Sequence, residues 1–282
     1  MGSVKNVAIF VTAIALVAVP GRTEPGSDRP TTLFDQSARQ ALTHDFDRPE
    51  ISFLLLDAQS GAILASRWDD PGKPIPLGSL VKPFTALAYG ERHAFRYPMY
   101  HCRGTATGCW LPRGHGDVDL TSAIAHSCNS YFRNLTAELD PADVSAIVTR
   151  FGLQPPPANA SGSTLAGLGN RWVISPINMA SAFLELLRRR DQPGVQQILD
   201  GMKESAEQGT GVEVDRALPY PHALVKTGTA PCTHGAHAPG DGFTLAMVPA
   251  NQPRILLMVR VHGMPGAHAA RVAGEMLRQL EN

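Results

Sequence analysis

Three short clusters place the residue types of nucleophilic acyl transfer in one order along this chain. The first, Ser79-Leu80-Val81-Lys82, sets a hydroxyl and an amine three residues apart, a spacing that brings both side chains to one helix face. A serine hydroxyl becomes a nucleophile when a neighbouring base takes its proton, and a lysine amine serves if burial or nearby positive charge keeps it neutral. If Ser79 opens a helix, the backbone N–H groups there face a developing oxyanion. The second cluster, Ser127-Cys128-Asn129, supplies a hydroxyl and an amide, although a polar triplet alone also reads as a cap or turn. The third, Lys226-Thr227-Gly228-Thr229, supplies a positive charge, two hydroxyl donors and a glycine that lets a ligand come close to the backbone. The chain has only five lysines, and two of them fall in these clusters.

These residues lie on recognisable elements. Ile51 to Asp57 and Ala62 to Ser66 flank the turn residues Gln59-Ser60-Gly61 and predict a β-hairpin. Leu80 to Arg92 predicts a helix, with Pro83 in its first turn, where the missing N–H costs little. Leu120 to Leu139, Ala142 to Phe151, Pro176 to Arg190 and Val195 to Glu207 carry helical apolar spacing. Ala223 to Thr229, Phe243 to Val248 and Ile255 to Val261 predict three strands, and His268 to Leu280 an amphipathic helix. The pattern predicts an α/β fold: an antiparallel sheet built from both chain ends, flanking helices and an inserted, mostly helical lobe. A cleft between sheet and lobe is the natural site.

Composition narrows the partners. Lys plus Arg and Asp plus Glu both number 25 in 282 residues, so no overall field favours nucleic acid. Lys5 followed by the apolar run Val7 to Val19 reads as a signal peptide or short membrane anchor over residues 1–21. Residues 22–50 read as a linker with a short helix near Leu33 to Leu42, and residues 51–282 as the main domain. Export puts Cys102, Cys109, Cys128 and Cys232 where disulfides persist, and the closeness of Cys102 and Cys109 predicts a disulfide between them. With no Cys-x-x-Cys pair, and with His234 and His237 in a polar, glycine-rich loop, neither metal nor cofactor is expected.

The order and spacing of the three clusters resemble the Ser-x-x-Lys, Ser-x-Asn and Lys-Thr-Gly signature of penicillin-binding proteins and serine β-lactamases. The likeness is strongest to the transpeptidase domain of class B penicillin-binding proteins of the cell-elongation type, from about Ile51 to Leu280. Pro76 to Thr85 is similar to that family's nucleophile segment. So are Tyr100 to Gly104, Cys109-Trp110, Gly114-His115-Gly116, Ser127 to Phe132, Ser175-Pro176 with Met179-Ala180, and Gly209-Thr210-Gly211 to their counterparts. Asp241 and Gly242 depart from the family, which has a tryptophan before the phenylalanine at Phe243, and Leu168 stands between Gly167 and Gly169 where a polar residue is usual.

The resemblance implies that Ser79 attacks a D-Ala-D-Ala stem peptide or a β-lactam while Lys82 accepts its proton. It gives proton relay to Ser127, substrate-amide binding to Asn129 and positive potential to Lys226. Thr227 and Thr229 would bind the substrate carboxylate, with Gly228 between them, and the N–H groups of Ser79 and Thr229 would form the oxyanion hole. Peptidoglycan stem peptides, β-lactams as covalent inhibitors and cell-wall synthesis proteins are the implied partners, at a periplasmic or otherwise extracytoplasmic location. A D,D-carboxypeptidase, a serine β-lactamase and a non-catalytic peptidoglycan-binding protein are the alternatives. The β-lactamase needs a water-activating base, for which no glutamate matches.

Overall fold

The structure is a computed structural model and describes residues 33–219, 222–232 and 240–281. The expected signal segment, and His234 and His237, lie outside the described residues. Helix α1 (Leu33–Asp45) leads into the hairpin β1 (Ile51–Asp57) and β2 (Ile63–Arg67). Short β3 (Ile75–Pro76) precedes a 3-10 turn, Gly78–Val81, that runs directly into α2 (Lys82–Arg92). Strands β4 (Tyr100–Cys102) and β5 (Gly116–Val118) pair with each other. The helical lobe follows as α3 (Leu120–Ala125), α4 (Asn129–Thr136), α5 (Pro141–Arg150) and α6 (Gly162–Leu165). Strand β6 (Val173–Ile174) returns to pair with β3 before α7 (Pro176–Arg188), α8 (Val195–Gln208) and α9 (Val212–Ala217). Strands β7 (Leu224–Ala230), β8 (Asp241–Val248) and β9 (Ile255–Val261) and helix α10 (Gly266–Glu281) close the domain.

The main sheet has the order β2-β1-β9-β8-β7 and is antiparallel throughout. Strand β1 reads as an almost unbroken apolar run because both of its faces are covered. Phe53 and Leu55 pack with Leu42, Ala269, Ala273 and Met276 on the side of α1 and α10. Leu54 and Leu56 pack with Phe84, Phe183 and the rest of the helical lobe. The two-residue side-chain period of a strand thus feeds two separate cores from one sequence. On β7, Val225 joins the first core and Leu224 the second, so Lys226, two residues on from Leu224, faces the lobe.

The predicted hairpin, the three late strands and the long helices are present. One prediction fails in detail: the span Leu120 to Leu139 is not one helix. It breaks at His126 to Cys128, where Ser127 takes a positive φ of 50°. The break is held from both sides, by Cys128 N–H to the Ala123 carbonyl at 2.9 Å and by the Trp110 indole N–H to the His126 carbonyl at 3.1 Å. A helical periodicity survives such an interruption in sequence because α3 and α4 keep their apolar faces inward on either side of it.

Candidate active site

The nucleophile segment is wedged between two other pieces of backbone, and glycines make this possible. A Cβ on Gly78, whose φ is +58°, would fall 2.3 Å from the Thr229 carbonyl oxygen, and one on Gly228 would fall 2.6 Å from the Leu77 oxygen. From the other side, a Cβ on Gly167 would meet the Gly78 oxygen at 2.4 Å. Gly228 therefore admits the protein's own nucleophile turn to strand β7, which is a different use from the ligand approach expected of it. The consequence is that Ser79 and Thr229, 150 residues apart, share one wall.

A cavity of about 190 Å³ opens there, lined by Ser79, Ser127, Asn129, Thr227, Gly228 and Thr229 together with Trp110, Leu168, Thr210 and the turn Pro265-Gly266-Ala267. Lys82 and Lys226 lie beneath it, both fully buried. All eight expected site residues are thus brought together. A larger cavity of about 550 Å³, lined by Arg190, Lys203 and His222 among others, contains no serine and none of these residues.

The amines converge on Ser127. The Lys82 Nζ donates to the Ser127 carbonyl at 2.8 Å and to Asn129 Oδ1 at 2.7 Å, and lies 3.4 Å from Ser127 Oγ. Lys226 Nζ donates to the same Oγ at 3.0 Å and to the Thr227 carbonyl at 2.8 Å. Burial pushes the Lys82 amine from its ordinary 10.5 down to about 7, and burial, reinforced by the charge of Lys82, holds Lys226 well below its ordinary value. A neutral amine has two N–H bonds and one lone pair. Because the Ser127 carbonyl and Asn129 Oδ1 are acceptors only and take up the two N–H bonds of Lys82, its lone pair is left for a hydroxyl proton. That is the arrangement a general base requires.

Ser127 holds its place at a cost of about 1–3 kcal/mol for a non-glycine residue at positive φ. The α8 C-terminus braces it, with Thr210 N–H donating to the Ala125 carbonyl at 3.1 Å. Thr210 Oγ1 in turn accepts from Thr227 Oγ1 at 2.6 Å. In the sequence Gly209-Thr210-Gly211 stands out only by its likeness to a family segment, and a threonine between two glycines is the available signal of a side chain with a specific partner. The Pro265 to Ala267 wall was missed as well, since nothing in its composition distinguishes it from an ordinary helix entry.

The cysteines require a correction. Cys102 and Cys109 are free thiols, not a disulfide. They lie on either side of the 3-10 turn Gly104–Thr107 and turn toward His115, with Nδ1 at 3.6 Å and 3.5 Å from their sulfurs, while Cys128 Sγ lies 3.9 Å from Cys109 Sγ. The four ligand atoms all fall within 4.8 Å of one another, and the cluster is mostly buried. A tetrahedral zinc site with bonds of about 2.0–2.3 Å places its ligand atoms roughly 3.3–3.8 Å apart, and Cys₃His is a closed structural donor set. The residues fit such an ion. The spacing Cys-x₆-Cys-x₅-His-x₁₂-Cys escaped notice because it has no short Cys-x-x-Cys pair.

Comparison with known proteins bears on the fold and the family. The fold is similar to that of Pseudomonas aeruginosa PBP2 in complex with WCK 5153, at TM-score 0.70 and 18% identity over 88% of this chain and 73% of that one. It is similar also to the TP domain of Burkholderia pseudomallei penicillin-binding protein 3, at TM-score 0.66 and 18% identity over 88% and 91%. The transpeptidase domain of Legionella pneumophila FtsI4 D,D-transpeptidase gives TM-score 0.64 and 17% identity over 90% and 97%. A search of curated protein sequences gives no match. Residues 51–281 match the penicillin binding protein transpeptidase domain, and the chain belongs to that family.

Proposed function

We propose that this protein is a penicillin-binding serine D,D-transpeptidase of class B type that acts on D-Ala-D-Ala stem peptides through Ser79. The observation that carries the reading is the convergence of Lys82 and Lys226 on Ser127 beside Ser79 in one cavity. The Ser79 hydroxyl passes its proton to the Lys82 lone pair as Oγ bonds to the penultimate D-Ala carbonyl carbon. The N–H groups of Ser79 and Thr229 receive the oxyanion. As the C–N bond breaks, the leaving nitrogen takes a proton through Ser127, and D-Ala departs. An amine of a second stem peptide then displaces Ser79 from the ester and completes the cross-link; water in its place gives carboxypeptidase trimming. The Thr229 hydroxyl donates to the substrate carboxylate, and Asn129 binds the substrate amide. Thr227, whose own hydroxyl proton goes to Thr210 Oγ1, lines the pocket beside Thr229.

The Cys102, Cys109, His115 and Cys128 cluster takes a structural role in this reading. A zinc ion held by the four would supply folding energy and fix Cys128 between Ser127 and Asn129, and no step of acyl transfer passes through it. Lys5 and the apolar run Val7 to Val19 support a location outside the cytoplasm, where stem peptides are found. The Helicobacter pylori PBP2 neighbour is a complex with MreC, and a cell-wall synthesis partner of that kind suits this chain.

Intact-mass measurement after exposure to a penicillin tests the proposal. One penicilloyl group per chain is expected, absent from Ser79→Ala. An adduct that persists in Ser79→Ala, or a wild-type protein that takes up none, would remove the reading.

A further inference from the structure

The carboxylate pocket depends on a turn that belongs to neither of its strands. Gly266 N–H donates to Thr229 Oγ1 at 3.0 Å. With that N–H occupying one acceptor site of the hydroxyl, the Thr229 O–H is directed away from the turn, ready to donate to an anion. The position of Thr229's donor is therefore set by the position of Gly266.

Gly266 is seated closely. A Cβ on it would fall 2.5 Å from the Gly228 oxygen, and one on Gly242 would fall 2.4 Å from the Pro265 oxygen and 2.6 Å from the Met264 oxygen. The Gly266 carbonyl accepts from Thr244 Oγ1 at 3.1 Å. The turn that ends β9 and opens α10 thus lies flat on the start of β8 and on the third motif. Sterics alone do not keep it there, since bare glycines offer surface and little attraction.

The attraction comes from Asp241, the first residue of β8, which is 2% exposed. Its Oδ1 accepts from the Cys232 thiol at 2.8 Å, from His262 Nδ1 at 3.1 Å and from Gly263 N–H at 3.4 Å. Cys232 follows β7 by two residues, and His262 and Gly263 are the exit of β9. One buried carboxylate therefore ties the ends of β7 and β9 to the start of β8, within three residues of Gly266 on one side and of Thr229 on the other. Hydrogen bonds to a buried charge are among the stronger ones available.

We propose that Asp241 is a positioning residue for recognition of the substrate carboxylate, acting through the Gly263 to Gly266 turn on the Thr229 hydroxyl. The proposal rests on the acyl-transfer reading. It assigns a use to the buried charge that stands beside Gly242 where the family pattern has an aromatic residue.

The test measures acylation efficiency for benzylpenicillin, which carries the carboxylate, and for its methyl ester, which does not, in wild type, Asp241→Asn, Thr229→Ala and the double variant. Asp241→Asn keeps shape and one acceptor while losing the charge, so it remains informative if Asp241→Ala does not fold. About a 10-fold loss is expected for benzylpenicillin, the size of one weakened hydrogen bond to a charged group, with less than about a 2-fold change for the ester. In the Thr229→Ala background the Asp241→Asn change is expected to have no further effect on benzylpenicillin. Equal losses for both probes, an additive double variant, or unchanged benzylpenicillin uptake would each overturn the proposal. A wild-type protein that takes up neither probe would instead sink the acyl-transfer reading itself.

Discussion

Replacing Lys82 by methionine separates the two consequences of burying an amine. The wild-type amine is fully buried and lies at about pKa 7 in the folded protein, whereas in the unfolded chain it returns to the ordinary 10.5. Below pH 7 both states hold the proton and the folded state bears the full burial penalty. Between 7 and 10.5 the unfolded chain keeps a proton that the folded protein has released, so stability rises with pH. Above 10.5 neither is charged and the penalty is gone. The slope in that window is about 1.4 kcal/mol per pH unit. Wild type should therefore gain roughly 2–3 kcal/mol on Lys82→Met between pH 7.5 and 9.5, worked from the Lys82 titration alone. Urea unfolding of both proteins at the two pH values measures it. Acylation follows the same titration in wild type: a base of pKa about 7 is about one-tenth neutral at pH 6 and about nine-tenths neutral at pH 8, so the acylation rate should rise about 10-fold between them. In Lys82→Met it should fall by about 10²–10⁴-fold. A stability difference that does not change from pH 7.5 to 9.5, together with an acylation rate flat from pH 6 to 8, would refute the assignment of Lys82 as a buried, neutral base.

Other outcomes follow from the same site. No aspartate or glutamate lines the cavity among the described residues, so the penicilloyl-enzyme should persist for minutes to hours, with negligible nitrocefin turnover; rapid multiple turnover abolished in Ser79→Ala would identify a β-lactamase instead. Purified protein should carry one zinc per chain by elemental analysis, Cys109→Ser should lose it, and chelation should lower the unfolding temperature; full stability in metal-free protein would count against a structural ion. Gly78→Ala would drive a methyl group into the Thr229 carbonyl at a positive φ, and a loss of at least about 2 kcal/mol by denaturant unfolding is expected.

Much of this site could be read from the chain because acyl transfer tolerates few substitutes. Ser79, Lys82, Ser127, Asn129 and the run Lys226 to Thr229 are chemically committed, and their order alone places them on a helix start, a lobe and a late strand. The strands were legible because both faces of β1, β8 and β9 are buried, which leaves dense apolar runs. What escaped was contact between distant backbone segments. The meeting of Gly78 with Thr229, and of Gly266 with Gly228, leaves only a glycine in the sequence, and glycine has many uses. The break at Ser127 escaped because periodicity reports which face is buried and is silent on a residue that leaves the helix for one turn. The thiol cluster escaped because its four ligands come from the end of β4, the loop before β5 and the α4 entry, and converge only after folding.

The pairing of β1 with β9 has a consequence in time. Ile51 lies opposite Val261 and Asp57 opposite Ile255, so the second strand of the sheet cannot find its neighbour until nearly the whole domain has been made. Contacts of such long sequence separation slow folding and leave strand edges open meanwhile. Ser79 emerges early, but the strand that carries Thr229 is stacked against it only when β7, β8 and β9 have closed on β1. A nascent chain thus carries Ser79 without its Thr229 wall, and the complete site is assembled late in folding.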